Sequence, residues 1–171
     1  MMQLPIELVY FGLCVAVSAI VFLLVGIWYQ LPSLLRLPLP AALTPLLLFS
    51  AFRVNGLYFL VAGVAAPDIP RGFAVPTAYG DATAAVLAVL SAMALRYRPT
   101  LGIALTWLYN VVGSLDLLNA LAQVAIHDVV PAHLGATWFL PTINVPALVV
   151  AHVLIFILLA RGRHAAGLER P

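Results

Sequence analysis

The sequence predicts an all-α protein, a polytopic membrane bundle of about five transmembrane helices. Three observations carry that prediction. Of the 171 residues, 64% are hydrophobic and 8% charged, and the mean hydropathy is +1.11. A soluble domain carries about 25% charged residues, and a soluble chain of this length has no core large enough to hide so much apolar surface. Five apolar stretches reach the roughly 20 residues that a helix needs to cross a bilayer, and no run alternates as a barrel strand would.

The predicted spans are Glu7–Tyr29, Ala41–Ala66, Tyr79–Tyr97, Thr100–Ile126 and Ile143–Ala160. Helices are the expected form because backbone groups in lipid must be satisfied within their own segment. Prolines mark the breaks: Pro32, Pro38 and Pro40 between the first two spans, Pro67, Pro70 and Pro76 between the second and third, Pro131 and Pro141 in the last connection. Pro99 opens the fourth span, where a first-turn proline does little harm, and Pro146 stands near the start of the fifth. No internal repeat is visible, and residues 1–171 are read as one transmembrane domain.

Arginine placement predicts the orientation. All eight basic residues are arginine. Counting connections alternately, Arg36, Arg96, Arg98, Arg161, Arg163 and Arg170 fall on one side and Arg71 on the other. The first side is therefore expected in the cytoplasm, with the N-terminus outside and the C-terminus cytoplasmic. Trp28, Tyr29, Tyr97, Trp138 and Phe139 lie near predicted boundaries, where aromatic side chains anchor at the interface. The N-terminus has no basic region and carries Glu7, so the first apolar run is read as a retained span rather than a signal peptide. The single cysteine, Cys14, makes neither an internal disulfide nor a zinc site and is expected as a small buried apolar residue. The scattered arginines argue against nucleic acid.

Function is expected from the residues that lipid should exclude. An Arg or Asp at mid-helix costs roughly 2.5–3.5 kcal/mol. Arg53 lies near the middle of the second span, with Asp116 in the fourth and Asp81 in the third as its candidate partners. At about 100° per residue, Tyr109, Asp116, Asn119, Gln123 and His127 share one stripe of the fourth span, and Asn110 falls about 120° away. His152 stands near the middle of the fifth. The candidate ligand-binding or proton-handling residues are therefore Arg53, Asp81, Asn110, Asp116, Asn119 and His152.

Each has a plainer explanation. Arg53 with one aspartate can be a clamp between helices, the amides can be interhelical hydrogen bonders, and a lone histidine can serve the same end. One clamp does not need so many polar groups, so collectively they point to a site. HxxxH, HxxE and CxxC spacings, phosphate loops and nucleophile elbows are lacking, so no metal site is expected.

Arg53, Gly80-Asp81, Trp107-Leu108-Tyr109-Asn110, Gly113, Asp116, Asn119-Ala120, Pro141, Pro146 and His152, read in order, resemble a family of small uncharacterised bacterial integral membrane proteins. The likeness covers spans two to five. This chain departs from the family pattern at Tyr109, where a tryptophan stands before the asparagine, and at Ala78-Tyr79, where Gly-Trp precedes Gly-Asp. The resemblance implies a bacterial inner-membrane location and a shared design for Arg53, Asp81, Asn110, Asp116 and His152, but no activity. The stretch Arg53 to Gly63 bears a slighter similarity to DoxX-like quinone-linked membrane subunits. The expected function is a polar intramembrane pocket, open to the outer side, that binds or transports a small polar or anionic molecule or protons. The alternatives are a redox or enzymatic subunit binding quinone or haem, and an accessory subunit of a membrane complex. Five short spans enclose no wide pore, so a homo-oligomer or larger complex is an expected partner besides the bilayer.

Overall fold

In the computed structural model, residues 5–168 are described, with side chains through residue 162. Five helices are long and apolar enough to cross a membrane: α1 (Ile6–Leu34), α2 (Leu39–Leu60), α3 (Arg71–Tyr97), α4 (Pro99–Ile126) and α5 (Leu140–Gly162). No strand forms among the described residues, only an isolated bridge between Ala62 and Ala65. Of the arginines behind the orientation, Arg170 and the side chain of Arg163 lie outside the described residues.

Contacts between particular residues fix the helix directions. Positions 72, 80 and 102 bring α3 and α4 together: Gly72 faces the His127 ring, Gly80 faces Asp116, and Gly102 faces the backbone of Leu95. That series is antiparallel. Leu39 reaches Gly162 while Arg53 meets His152, so α2 and α5 are also antiparallel. Phe11 packs edge-on against Trp138, and Gly26 faces Val150, so α1 runs parallel to α5 along its outside. One end of the bundle thus carries Arg36, Arg96, Arg98 and Arg161, and the other carries the loops around residues 61–70 and 127–139.

Four boundaries differ markedly from the sequence reading, and π-turns beside prolines account for two of them. Pro32 lies within α1, because a π-turn at Gly26–Gln30 precedes it and Leu31 N–H donates to Gly26 O. Pro141 and Pro146 lie within α5 in the same way, with a π-turn at Leu140–Asn144 and Val145 N–H donating to Leu140 O. In each case the wider turn shifts the ladder by one residue just before a proline that has no donor. Pro76 is inside α3, which begins at Arg71 rather than Tyr79. In the other direction, α2 stops at Leu60: residues 61–66 turn back, and Gly63 takes φ 81°.

The second half of α2, Ala51–Leu60, is a ten-residue 3₁₀-helix, a form seldom longer than 3–4 residues. In a 3₁₀-helix residues three apart eclipse one another. Its buried residues are Arg53, Gly56 and Phe59, one such row facing the bundle.

Two apolar clusters fill the interior. The larger, toward the arginine end, includes Leu43, Leu47, Ala84, Ala88, Tyr109, Ile155 and Leu159. The smaller, toward the loop end, holds Phe59, Phe73, Ala74, Leu134 and Leu140. At the loop end, α4 finishes with Asp128 in the left-handed region (φ 48°) and Val129 N–H returning to Val124 O, a Schellman closure. The following 3₁₀ segment, Pro131–Trp138, docks on the 61–66 turn through Ala136 N–H to Val64 O at 2.7 Å. The first twenty residues of α1, Ile6–Val25, include no buried residue. Cys14 is exposed among them, correcting the expectation of burial: α1 lies outside the bundle, so most of its surface has no protein to face.

Candidate functional site

Arg53 is 2% exposed and joins four helices. Its Nε donates to Asp81 Oδ1 at 2.8 Å and its Nη2 to Asp116 Oδ2 at 2.5 Å. Its Nη1 donates to Gly113 O at 2.9 Å and lies 3.2 Å from His152 Nε2. The positions come from helix geometry: the 3₁₀ row of α2 presents Arg53 inward, and Gly113 and Asp116 lie one turn apart on α4.

This pattern assigns the histidine's tautomer. A guanidinium has donors and no acceptor, so His152 Nε2 must present its lone pair. The proton of the neutral ring is then on Nδ1, which donates to Asn110 Oδ1 at 2.6 Å. Asn110 Nδ2 donates in return to the His152 carbonyl at 3.1 Å. Asn110 is fully buried and His152 is 4% exposed. Tyr109 stacks on the imidazole, with ring centroids 5.2 Å apart and planes 18° apart, and its hydroxyl is 3.4 Å from Nε2. Both ring nitrogens are thus committed, and haem ligation through His152 requires breaking one of these contacts.

Close packing depends on three glycines. A Cβ at Gly56 would stand 2.6 Å from Asp81 Cβ, one at Gly80 2.7 Å from Asp116 Cγ, and one at Gly113 2.7 Å from His152 Cε1 and 2.9 Å from Arg53 Nη1. The missing side chains are the space the ionic cluster occupies.

Five of the six residues expected from sequence meet here: Arg53, Asp81, Asn110, Asp116 and His152. Asn119 does not join them. It is exposed and accepts a 3.4 Å bond from Gln123 on the same helix. The stripe to which it was assigned divides, with Tyr109 and Asp116 inside, Asn119 outside, and His127 set over Gly72. Among the described residues, no group of three or more His, Cys, Asp or Glu is arranged to hold a metal ion.

A cavity of about 250 Å³ connects Asp81 to the loop end, lined by Phe11, Phe59, Phe73, Thr77, Val124 and Leu134 among others. On the other side of the ionic cluster lies the larger apolar cluster. A model of a domain of unknown function (DUF8737) matches residues 10–160. The chain belongs to the DUF8737 family. No curated protein and no solved structure matches it. The DUF8737 match begins inside α1, so the family extends over the one span that contributes nothing to the Arg53 cluster. Thr77, one turn from Asp81 on α3, also lines this cavity, and the sequence reading does not single it out. Its only signal was the four-residue spacing to Asp81.

Proposed function

We propose that the protein is a multi-pass protein of the bacterial cytoplasmic membrane, N-terminus outside, whose centre binds and passes protons. The carrying observation is the charge count at Arg53. One guanidinium lies between two carboxylates, so the cluster closes electrically on one further positive charge. Ionisable groups held inside a membrane bundle mark proton or ion pathways. An anionic ligand is disfavoured, because it would have to displace a carboxylate from an arginine already engaged by Asp81, Asp116, Gly113 and His152. The cavity at Asp81 supports access from the loop end, which we read as the outer end from the arginine distribution.

The test is infrared difference spectroscopy of the protein in lipid nanodiscs as pH is scanned. A protonated-carboxyl stretch is expected to rise and fall with pH and to vanish in Asp81→Asn or Asp116→Asn. A wild-type protein without such a band wherever it stays folded overturns the proposal. A second reading is favoured by the same bonds: Arg53 ties α2 to α3, α4 and α5, which is what a purely structural clamp of an accessory subunit would do. That reading predicts two carboxylates ionised throughout.

A further inference from the structure

The cavity between Asp81 and the loop end has walls that are apolar but for two groups. Leu8 and Phe11 of α1, Phe59 of α2, Phe73 of α3, Val124 of α4, Leu134 and Leu140 enclose it, and Thr77 and Asp81 supply its polar atoms. Thr77 is 5% exposed, and its Oγ1 is the one buried side-chain oxygen or nitrogen with no hydrogen-bond partner among the described residues. The other buried serine and threonine hydroxyls of the spanning helices close on their own backbone. Ser50 bonds Leu46 O, Ser91 bonds Leu87 O, Thr106 bonds Gly102 O and Thr142 bonds Trp138 O. An unmade hydrogen bond on a buried hydroxyl is costly, and each such group in a native structure calls for a reason.

From this we infer that the cavity binds a phenol: a lipid-soluble molecule with one hydroxylated aromatic ring and a short apolar substituent. Thr77 and Asp81 are four apart on α3, so their Cβ atoms lie about 5–6 Å apart. One oxygen at about 2.8 Å from each polar group fits that gap. A hydroxyl fills both roles, accepting from Thr77 O–H and donating to the Asp81 carboxylate. An ether or ketone accepts but cannot donate. The ring meets Phe59 and Phe73, which are edge-on to each other at 5.3 Å, and Phe11 also lines the cavity. A cavity of about 150 Å³ holds benzene, so about 250 Å³ suits one ring with a few added carbons. The inference goes beyond the proton reading and needs only Thr77, a carboxylate at Asp81 and the cavity.

The probe is 4-propylphenol, with 4-propylanisole and propylbenzene as analogues, titrated against the full chain in nanodiscs and followed by saturation-transfer NMR. Empty nanodiscs give the partitioning background. Saturable binding of the phenol is expected, weaker by about tenfold for 4-propylanisole, which cannot donate to Asp81, and weaker still for propylbenzene, which makes neither hydrogen bond. Thr77→Val should lower phenol affinity by a similar factor and leave propylbenzene unchanged. Ala120→Phe, which fills the cavity, should abolish both, with circular dichroism confirming the helices. Equal affinity for all three probes, or phenol signal no greater than in empty nanodiscs, overturns the inference. So does a Thr77→Val protein that binds phenol as the wild type does. Phenol binding that survives in a protein with no pH-dependent carboxyl band leaves this inference standing and removes the proton reading.

Discussion

Replacing Gly113 by alanine sets two effects of known size against each other. In an exposed helix, Gly→Ala stabilises by about 0.8–1.0 kcal/mol through backbone entropy. At Gly113 the new Cβ would stand 2.7 Å from His152 Cε1 and 2.9 Å from Arg53 Nη1, where ordinary contact begins near 3.4 Å. Arg53 cannot retreat, because it is fixed by Asp81 and Asp116, and His152 is fixed by Asn110. Overpacking a tight interior costs typically 1–3 kcal/mol, and a displaced interhelical hydrogen bond adds about 0.6 kcal/mol. The net expectation for Gly113→Ala is a loss of about 1–3 kcal/mol. Gly12→Ala is the matched control, since its Cβ meets nothing within 4 Å and only the entropy gain applies. Reversible unfolding of both variants in mixed detergent micelles, read by circular dichroism, gives the difference directly. If Gly113→Ala is as stable as Gly12→Ala, the tight Arg53–His152–Gly113 packing is refuted.

Other perturbations test separate parts of the arrangement. Arg53→Met should destabilise by about 3–5 kcal/mol, the cost of removing one partner from a buried ionic group. Adding Asp81→Asn and Asp116→Asn should recover much of that loss, and a triple variant no more stable than the single one would count against the charge argument. Asn110→Leu removes the acceptor of His152 Nδ1–H and the donor to the His152 carbonyl; the expected result is a changed imidazole tautomer in nitrogen-15 NMR, whereas an unaltered spectrum contradicts the assigned network. His152→Ala should not remove a Soret band, because the purified wild type is expected to be colourless. Gly26→Leu should loosen α1 from α5, where even a Cβ would stand 2.8 Å from Val150 Cγ1, and this would appear as faster proteolysis of α1 with the Arg53 cluster unchanged.

The five helices were legible because each is a long apolar run, and lipid leaves the backbone little alternative. Arg53, Asp81, Asp116 and His152 were legible because a polar group within such a run has a cost that demands a partner. What hydropathy does not encode is helix type. The π-turns at Gly26–Gln30 and Leu140–Asn144 keep the chain helical through Pro32 and Pro141, where proline suggested a break, and the early stop of α2 follows from a turn at Gly63 rather than from any loss of apolar residues. Asn119 was misplaced by treating α4 as facing polar neighbours along its whole stripe, whereas α3 covers only the Asp116 side. Thr77 was invisible because a threonine in an apolar helix usually satisfies itself, and only coordinates reveal one that does not.

The 3₁₀ half of α2 also acts as a ruler. Ten residues rising about 2.0 Å each, instead of the 1.5 Å of an α-helix, carry the chain about 5 Å farther. With Arg53 held by its aspartates, a relaxation to α-helix would draw Leu60 back from the loop end and turn Phe59 about 120° from the Arg53 face. The 61–66 turn would then fall short of Ala136, whose N–H it receives at Val64, and the cavity would lose its Phe59 wall while the Pro131–Trp138 segment, which supplies Pro131 and Leu134 to its lining, lost that anchor. The pitch of one short segment therefore sets the distance between the buried charges and the loop end of the bundle.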